Sequence, residues 1–316
     1  MSDGTGAAVA SGAAARPAQP RRRRYSERAR AERRLGWMLC APAVIVMLAV
    51  TAYPVLNAIW LSLQRADLRF PGANEFVGLR NYGDVLSSDL WWQDVANTAI
   101  ITIGSVAIEL VLGMLLALVM HRAIFGRGTV RAVILIPYGI ITVVAALAWK
   151  YGWAADTGFV PSLLGLSSDP LTSHDSSLLI IILTEVWKTT PFMALLLLAG
   201  LALVPGELHE AARVDGANAL QRFFRITIPL MKPAILVALL FRTLDAFRVF
   251  DSVFILTRGQ NKTESVSILG YNQLVTRLNL GIGSAVAVLI FICVAIIAFV
   301  FVRLFGASTA QQRGAA

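Results

Sequence analysis

The chain has 316 residues, 57% of them hydrophobic and 15% charged, with a mean hydropathy of +0.68 and a formal net charge of +9. Soluble domains are about 45–50% apolar, so this composition points to a membrane protein and argues against a soluble enzyme. The positive charge gathers near the ends of apolar runs instead of along a soluble face, which favours a lipid surface over nucleic acid as its partner.

Residues 1–34 are rich in Ala, Gly, Pro and Arg and have almost nothing apolar to bury, so they predict a disordered basic tail. Its arginines, Arg21 to Arg24 and Arg33 and Arg34 among them, directly precede the first apolar run. Positive charge in that position holds the amino terminus in the cytoplasm and attracts anionic lipid. Six apolar runs follow, at 35–63, 95–120, 132–153, 177–204, 233–256 and 283–305. Each is longer than the roughly 18 residues that mark a spanning helix, and no alternating ten-residue segments suggest a barrel. The expected fold is all-α and integral to the membrane. A six-helix domain over 35–306 is followed by a cytoplasmic carboxy-terminal tail at 307–316. The first run is too long for a signal-peptide core and no small-residue cleavage site follows it, so it is expected to stay in the mature protein.

The loops orient the spans independently of the tail. Arg122, Arg127 and Arg131 follow the second run without an acid, and Arg213, Arg222, Arg225 and Lys232 follow the fourth. The 158–176 segment has no Lys or Arg. With both termini inside, eighteen basic residues fall in cytoplasmic segments and six in outer ones, Arg258, Lys262 and Arg277 of the last outer loop being the weakest fit.

The fourth run holds Glu185, Trp187, Lys188, Thr189 and Thr190 ahead of Pro191. Pro191 withholds the donor that the Trp187 carbonyl would use, which favours a kink. An aromatic ring beside Lys188, Thr189 and Thr190 suits a sugar, whereas an interfacial tryptophan or a Glu185–Lys188 pair would give the same pattern. The fifth run holds Arg242, Asp245, Arg248 and Asp251. Four lipid-facing charges would cost on the order of 10 kcal/mol, so they must face protein or water. Asp245 and Arg248 stand either in a polar pathway wall or in a structural ion pair. Glu109 in the second run is isolated and receives no role.

Between the fourth and fifth runs, Pro205 and Glu207 suit a first helical turn, Ala211 and Ala212 its interior and Gly216 its stop. Asn218 can cap a second helix ending before Pro229. Small side chains flanked by Glu210, Arg213 and Asp215 let the first helix approach a partner closely, while an interfacial amphipathic helix is the alternative.

No GxxxxGK[ST] loop is present, so any nucleotide must be bound by another chain. His209-Glu210 is followed at the fifth position by Arg213, which breaks a zinc-protease motif, and no GxSxG elbow occurs. Cys40 and Cys293 stand in the first and last runs without metal or disulfide spacing. No catalytic or metal residues are expected. Asn261-Lys262-Thr263 matches a glycosylation sequon, a pattern short enough to arise by chance.

Glu210-Ala211-Ala212, Asp215-Gly216-Ala217, Phe224 and Ile226-Thr227-Ile228-Pro229 resemble the EAA loop of binding-protein-dependent ABC importer permeases, with Ile228 where leucine is usual. Tyr53-Pro54, Phe76 to Tyr82, Asn97-Thr98, Arg131 and Leu256-Thr257 are similar to the sugar permeases of the maltose and glycerol-phosphate type. Gly259-Gln260-Asn261 departs from the Gly-Gly-Pro common after that Leu-Thr, which weakens the expectation for docking there. The resemblance implies a type I importer (MetI-like) fold in the cytoplasmic membrane. It also implies a second permease subunit, a dimer of ATPase subunits holding ATP and Mg, and an extracytoplasmic sugar-binding protein. A disaccharide such as trehalose is the implied cargo. In that family the loop is the coupling helix, which places Glu210, Ala211, Ala212, Asp215, Gly216, Ala217, Ile226 and Pro229 against the ATPase. A secondary transporter of small polar solutes is the rival reading, although no internal repeat supports it.

Overall fold

The computed structural model describes residues 27–70, 72, 74–122, 126–156, 158–165 and 169–313, and the chain divides into two compact units, Met1–Pro54 and Val55–Ala316. Within the first unit the described chain is helical, the beginning of α1 (Glu27–Ser62). Leu35, Trp37, Leu39, Ile45, Met47 and Val50 are all exposed. A helix apolar on every side belongs in lipid or against another apolar surface. The helix starts at Glu27, inside the stretch expected as a tail, because Ala29, Ala31 and Glu32 are good helix formers and extend it backwards from the span. Residues 1–26 of that expected tail lie outside the described residues.

The second unit begins with the last turns of α1 and a short antiparallel hairpin, β1 (Gln64–Arg65) with β2 (Glu75–Phe76). Helices α2 (Arg80–Leu86), α3 (Asp89–Arg122), α4 (Arg127–Gly139), α5 (Thr142–Trp153), α6 (Phe159–Leu164) and α7 (His174–Leu201) follow. Next come α8 (Gly206–Val214), α9 (Ala219–Arg222), α10 (Ile228–Ala246), α11 (Asp251–Leu256), α12 (Val266–Tyr271) and α13 (Leu280–Arg313). Among the described residues five helical stretches are long and apolar enough to cross a membrane, or six when the bent pair α4–α5 is counted as one span. Helix α13 runs through most of the expected tail at 307–316, whose Ala and Gln residues continue a helix readily.

Helices α3 and α7 form the spine of this unit. At Gly113 an added Cβ would lie 3.2 Å from the Ala194 backbone nitrogen and 2.7 Å from Met193 Cγ, so only glycine allows the approach. Met114, Ala117, Met193, Leu197, Met231 and Ala238 fill the space shared with α10. Ile101, Ile180, Ile181, Val253 and Ile268 form a second cluster with α11 and α12. Trp91, Phe247, Val266 and Val286 tie in α13.

Two interruptions differ from the expected spans. The third span, expected as one run over 132–153, is broken at Ile140 and Ile141, where α4 and α5 meet at 84°. Gly139 ends α4 there, and the β-branched run from Ile140 to Val144 propagates a helix poorly. The kink expected at Pro191 does not interrupt α7, which continues for 28 residues. Its packing on α3 holds it, and the Thr190 hydroxyl donates to the Val186 carbonyl at 2.6 Å. The fifth span stops at Ala246 and resumes at Asp251, with an irregular turn over 247–250.

Candidate functional site

The interruption after Ala246 distributes the four fifth-span charges over three kinds of backbone. Arg242 and Asp245 lie in the last turn of α10, Arg248 lies in the turn, and Asp251 opens α11. Arg242 is 1% exposed and points into the α3–α7 spine. Its Nε donates to Glu109 at 2.5 Å, one terminal nitrogen donates to Glu109 at 2.9 Å and to Glu185 at 3.0 Å, and the other donates to Asp245 at 2.8 Å. The Thr189 hydroxyl donates to Glu109 at 2.8 Å, and the Ser252 hydroxyl donates to Glu185. One guanidinium thus joins α3, α7, α10 and, through Glu185, α11.

This arrangement corrects three sequence expectations. Asp245 pairs with Arg242, not Arg248, because three helical steps back along α10 reach the guanidinium while the chain leaves the helix before Arg248. Among the described residues Arg248 pairs with no carboxylate. Glu185 does not pair with Lys188, since Arg242 and Ser252 occupy its carboxylate. Glu109, given no role from sequence, is 0% exposed and is the principal anchor of Arg242. The signal for it was charge balance: one deeply placed arginine and two acids on other spans need one another.

Beside the cluster opens a polar cavity of about 470 Å³. Its wall includes Tyr138 and Thr142 on either side of the α4–α5 break, Lys188 and Thr189 of α7, and Asp245, Arg248 and Asp251 of the interrupted fifth span. Lys188 is buried; its Nζ donates to the Ile140 carbonyl at 3.1 Å and lies 5.6 Å from the Tyr138 ring centre. Trp187 and Thr190 are elsewhere. They line an apolar groove with Leu112, Val133 and Ile134, and the Trp187 ring stands 6.1 Å from that of Trp149. Successive helical residues point about 100° apart, so Trp187 and Lys188 cannot share a face. Four of the six candidate pathway residues (Lys188, Thr189, Asp245 and Arg248) meet at one cavity, and two do not.

The loop between α7 and α10 is shaped by its turn chemistry. Pro205 precedes α8, and no α8 side chain is buried. Gly216 has φ +80°, a conformation that a side chain disfavours, and its N–H donates to Arg213 at 3.0 Å to close the helix. Asn218 caps α9 in a reciprocal box with Gln221. That second helix does not end before Pro229 as expected. The wide-turn segment Phe223–Thr227 carries it into α10, and the Ile228 N–H reaches back five residues to Phe223, so Pro229 follows directly on a widened helical turn. Ala211, Ala212, Asp215, Ile226 and Pro229 line a surface groove of about 400 Å³; Glu210, Gly216 and Ala217 lie outside its lining, the first two exposed and Ala217 half-buried.

Opposite this loop along the spans, the segment from Thr257 to Ser265 is pinned to α3. Asn97 donates to the Lys262 and Glu264 carbonyls at 2.7 and 2.9 Å, and the Val266 N–H donates to Thr98 at 3.1 Å. Arg258, Asn261 and Lys262 all have positive φ. Burial pushes the Glu264 carboxyl above its usual range, against the opposing pull of Asn272 and Arg277. Among the described residues no three metal-binding side chains lie close enough to hold an ion.

Helical spans around a polar cavity, with an ordered helical loop projecting at one end, define a multi-pass membrane transport component. The pattern of the inner membrane component of binding-protein-dependent transport systems matches residues 109–311, and the chain belongs to that family. It is 58% identical over 278 residues to the trehalose transport system permease protein SugA of Mycobacterium tuberculosis, covering 88% of this chain and 91% of that one. It is 40% identical over 281 residues to the trehalose/maltose transport system permease protein MalF of Thermococcus litoralis, covering 86% and 94%. A chain of a bacterial ABC transporter that imports alginate shares the fold, with a TM-score of 0.75 at 23% identity over 88% of this chain and 98% of that one.

Proposed function

We propose that this permease forms half of the translocation path of an ATP-driven importer of a disaccharide such as trehalose. The polar cavity bounded by Tyr138, Thr142, Thr189, Asp245, Arg248 and Asp251 carries the proposal, because Arg248 and Asp251 face it without a salt-bridge partner among the described residues, a costly arrangement in an apolar protein unless the space holds water or a polar solute. Its mixed charges and hydroxyls suit a neutral, many-hydroxyl solute. The identity to the trehalose permease supports the choice of sugar. Coupling is assigned to the 205–229 loop, whose exposed Leu208, Val214, Leu220 and Phe224 offer an apolar face to a separate ATPase dimer holding ATP and Mg. The second permease closes the cavity, and a sugar-binding protein delivers cargo at the end pinned by Asn97. Both termini lie in the cytoplasm, as the excess of basic residues in the inner loops supports.

The test is co-purification with an ATPase and a second permease, followed by uptake into vesicles with the sugar-binding protein present. Trehalose uptake should need ATP on the loop side and the binding protein on the other. Uptake driven by an ion gradient in the absence of the ATPase would establish the secondary-transporter reading instead.

A further inference from the structure

Lys188 is buried within a spanning helix, and among the described residues it has no carboxylate partner; Glu185, one turn away, is taken by Arg242. A buried ammonium must satisfy its donors somewhere. It does so at the Ile140 carbonyl, which ends α4 at the 84° break, and against the face of Tyr138. A cation suits the carbonyl end of a helix, where the unpaired acceptors carry partial negative charge. The Tyr138 ring is also stacked at 5.4 Å on Phe192, one helical turn beyond Lys188. Two residues of α7 therefore grip the end of α4 from one side.

Across the break the partners change. Lys150 of α5 donates at 2.9 Å to the Ile255 carbonyl near the end of α11, and the Trp149 and Trp153 rings of α5 pack against the cluster that includes Val253 and Leu256. The half-span α4 is gripped by Lys188 and Phe192 of α7, whereas the half-span α5 is fastened to α11 as well as to Trp187 of α7. The extended backbone of Ile140 and Ile141, with ψ of 137° and 132°, is the joint between them. Both Tyr138 and Thr142 line the polar cavity, so the angle at the joint sets the cavity's width.

We propose that Lys188 is a positioning residue that clasps a hinge in the third span. Its bond to Ile140 holds α4 against α7, and its release lets α4 swing about the joint while α5 stays packed on α7 and α11, which changes the width of the cavity. The role rests on the cavity being the transport path, but the clasp itself can be measured without any sugar.

The test uses the purified permease with its partners, free of nucleotide and sugar, with Cys40 and Cys293 changed to serine. Nitroxide labels are placed on exposed positions either side of the joint, at Val133→Cys and Val144→Cys. Their distance distribution should be narrow in the parent, markedly broader or shifted in Lys188→Met, and narrow again in Lys188→Arg, whose guanidinium can reach both the carbonyl and the ring. A distribution in Lys188→Met that superimposes on the parent overturns the clasp. If Lys188→Met does not assemble, Lys188→Ser, polar but too short to reach the Ile140 carbonyl, serves in its place: broadening supports the clasp and an unchanged distribution overturns it. A substrate ligand would leave the sugar-free distances alone, and the measurement stands whatever solute is transported.

Discussion

Replacing Arg242 with methionine removes the charge while retaining most of the side chain's length, so the outcome depends on what the guanidinium leaves behind. Glu109 and Glu185, 0% and 7% exposed, would keep only the Thr189 and Ser252 hydroxyls as side-chain donors. Removing one partner of a buried ion pair costs about 3–5 kcal/mol, because the stranded charge cannot return to water. Asp245 adds little to that figure. Its side chain is 64% exposed, and an exposed pair contributes about 0–1 kcal/mol. Arg242→Met should therefore destabilise the protein by about 3–5 kcal/mol and Asp245→Asn by less than about 1 kcal/mol. Neutralising Glu109 and Glu185 to glutamine alongside Arg242→Met should recover much of the loss, since no buried charge remains. Unfolding midpoints in SDS titrations of mixed micelles give the comparison. Equal losses for Arg242→Met and Asp245→Asn, or a triple variant less stable than Arg242→Met alone, would refute a cluster held by buried charge.

Three further outcomes follow from particular bonds. Gly216→Pro cannot adopt φ +80° and loses the N–H that closes α8, so it should insert normally yet lower ATP-dependent uptake at least about tenfold; parental uptake would detach the loop from coupling. Trp187→Ala should lower the yield of assembled complex and uptake in proportion, by less than the roughly 3–5 kcal/mol of a fully buried aromatic, because the ring lines the apolar groove; a loss of uptake at full yield would return Trp187 to the sugar path. Glu264 has its carboxyl raised by burial, so folding favours its protonated form and loses that benefit as pH rises through the raised value. Glu264→Gln should raise the melting temperature at neutral pH and leave it unchanged in acid, and a larger gain in acid would contradict the assignment.

Much of this architecture was legible from residue patterns alone. Runs of apolar residues fix where helices cross, and Gly216 and Asn218 announce the loop's turn and cap because backbone geometry allows few other residues there. Tertiary partners were not legible. Pro191 promised a weak point in the fourth span, yet α7 runs through it unbroken, while the break at Ile140 falls in a β-branched stretch masked by its hydrophobicity. Glu109 and Arg242 stand far apart in sequence, and only charge balance across spans hinted at their meeting. Trp187 and Lys188 looked like one site because they are neighbours in the chain, yet helical rotation sends them to different surfaces.

Whether the polar cavity is the sugar's route is tested most directly by blocking it. Thr142 lines the cavity beside the break, and Thr142→Cys in a background with Cys40 and Cys293 changed to serine gives one reactive thiol there. ATP-driven uptake of labelled trehalose into vesicles is measured before and after complete reaction with a bulky thiol reagent. Uptake should fall to the level seen without ATP, while the same reagent leaves the cysteine-free parent unaffected. Full uptake after complete modification would place the path somewhere else.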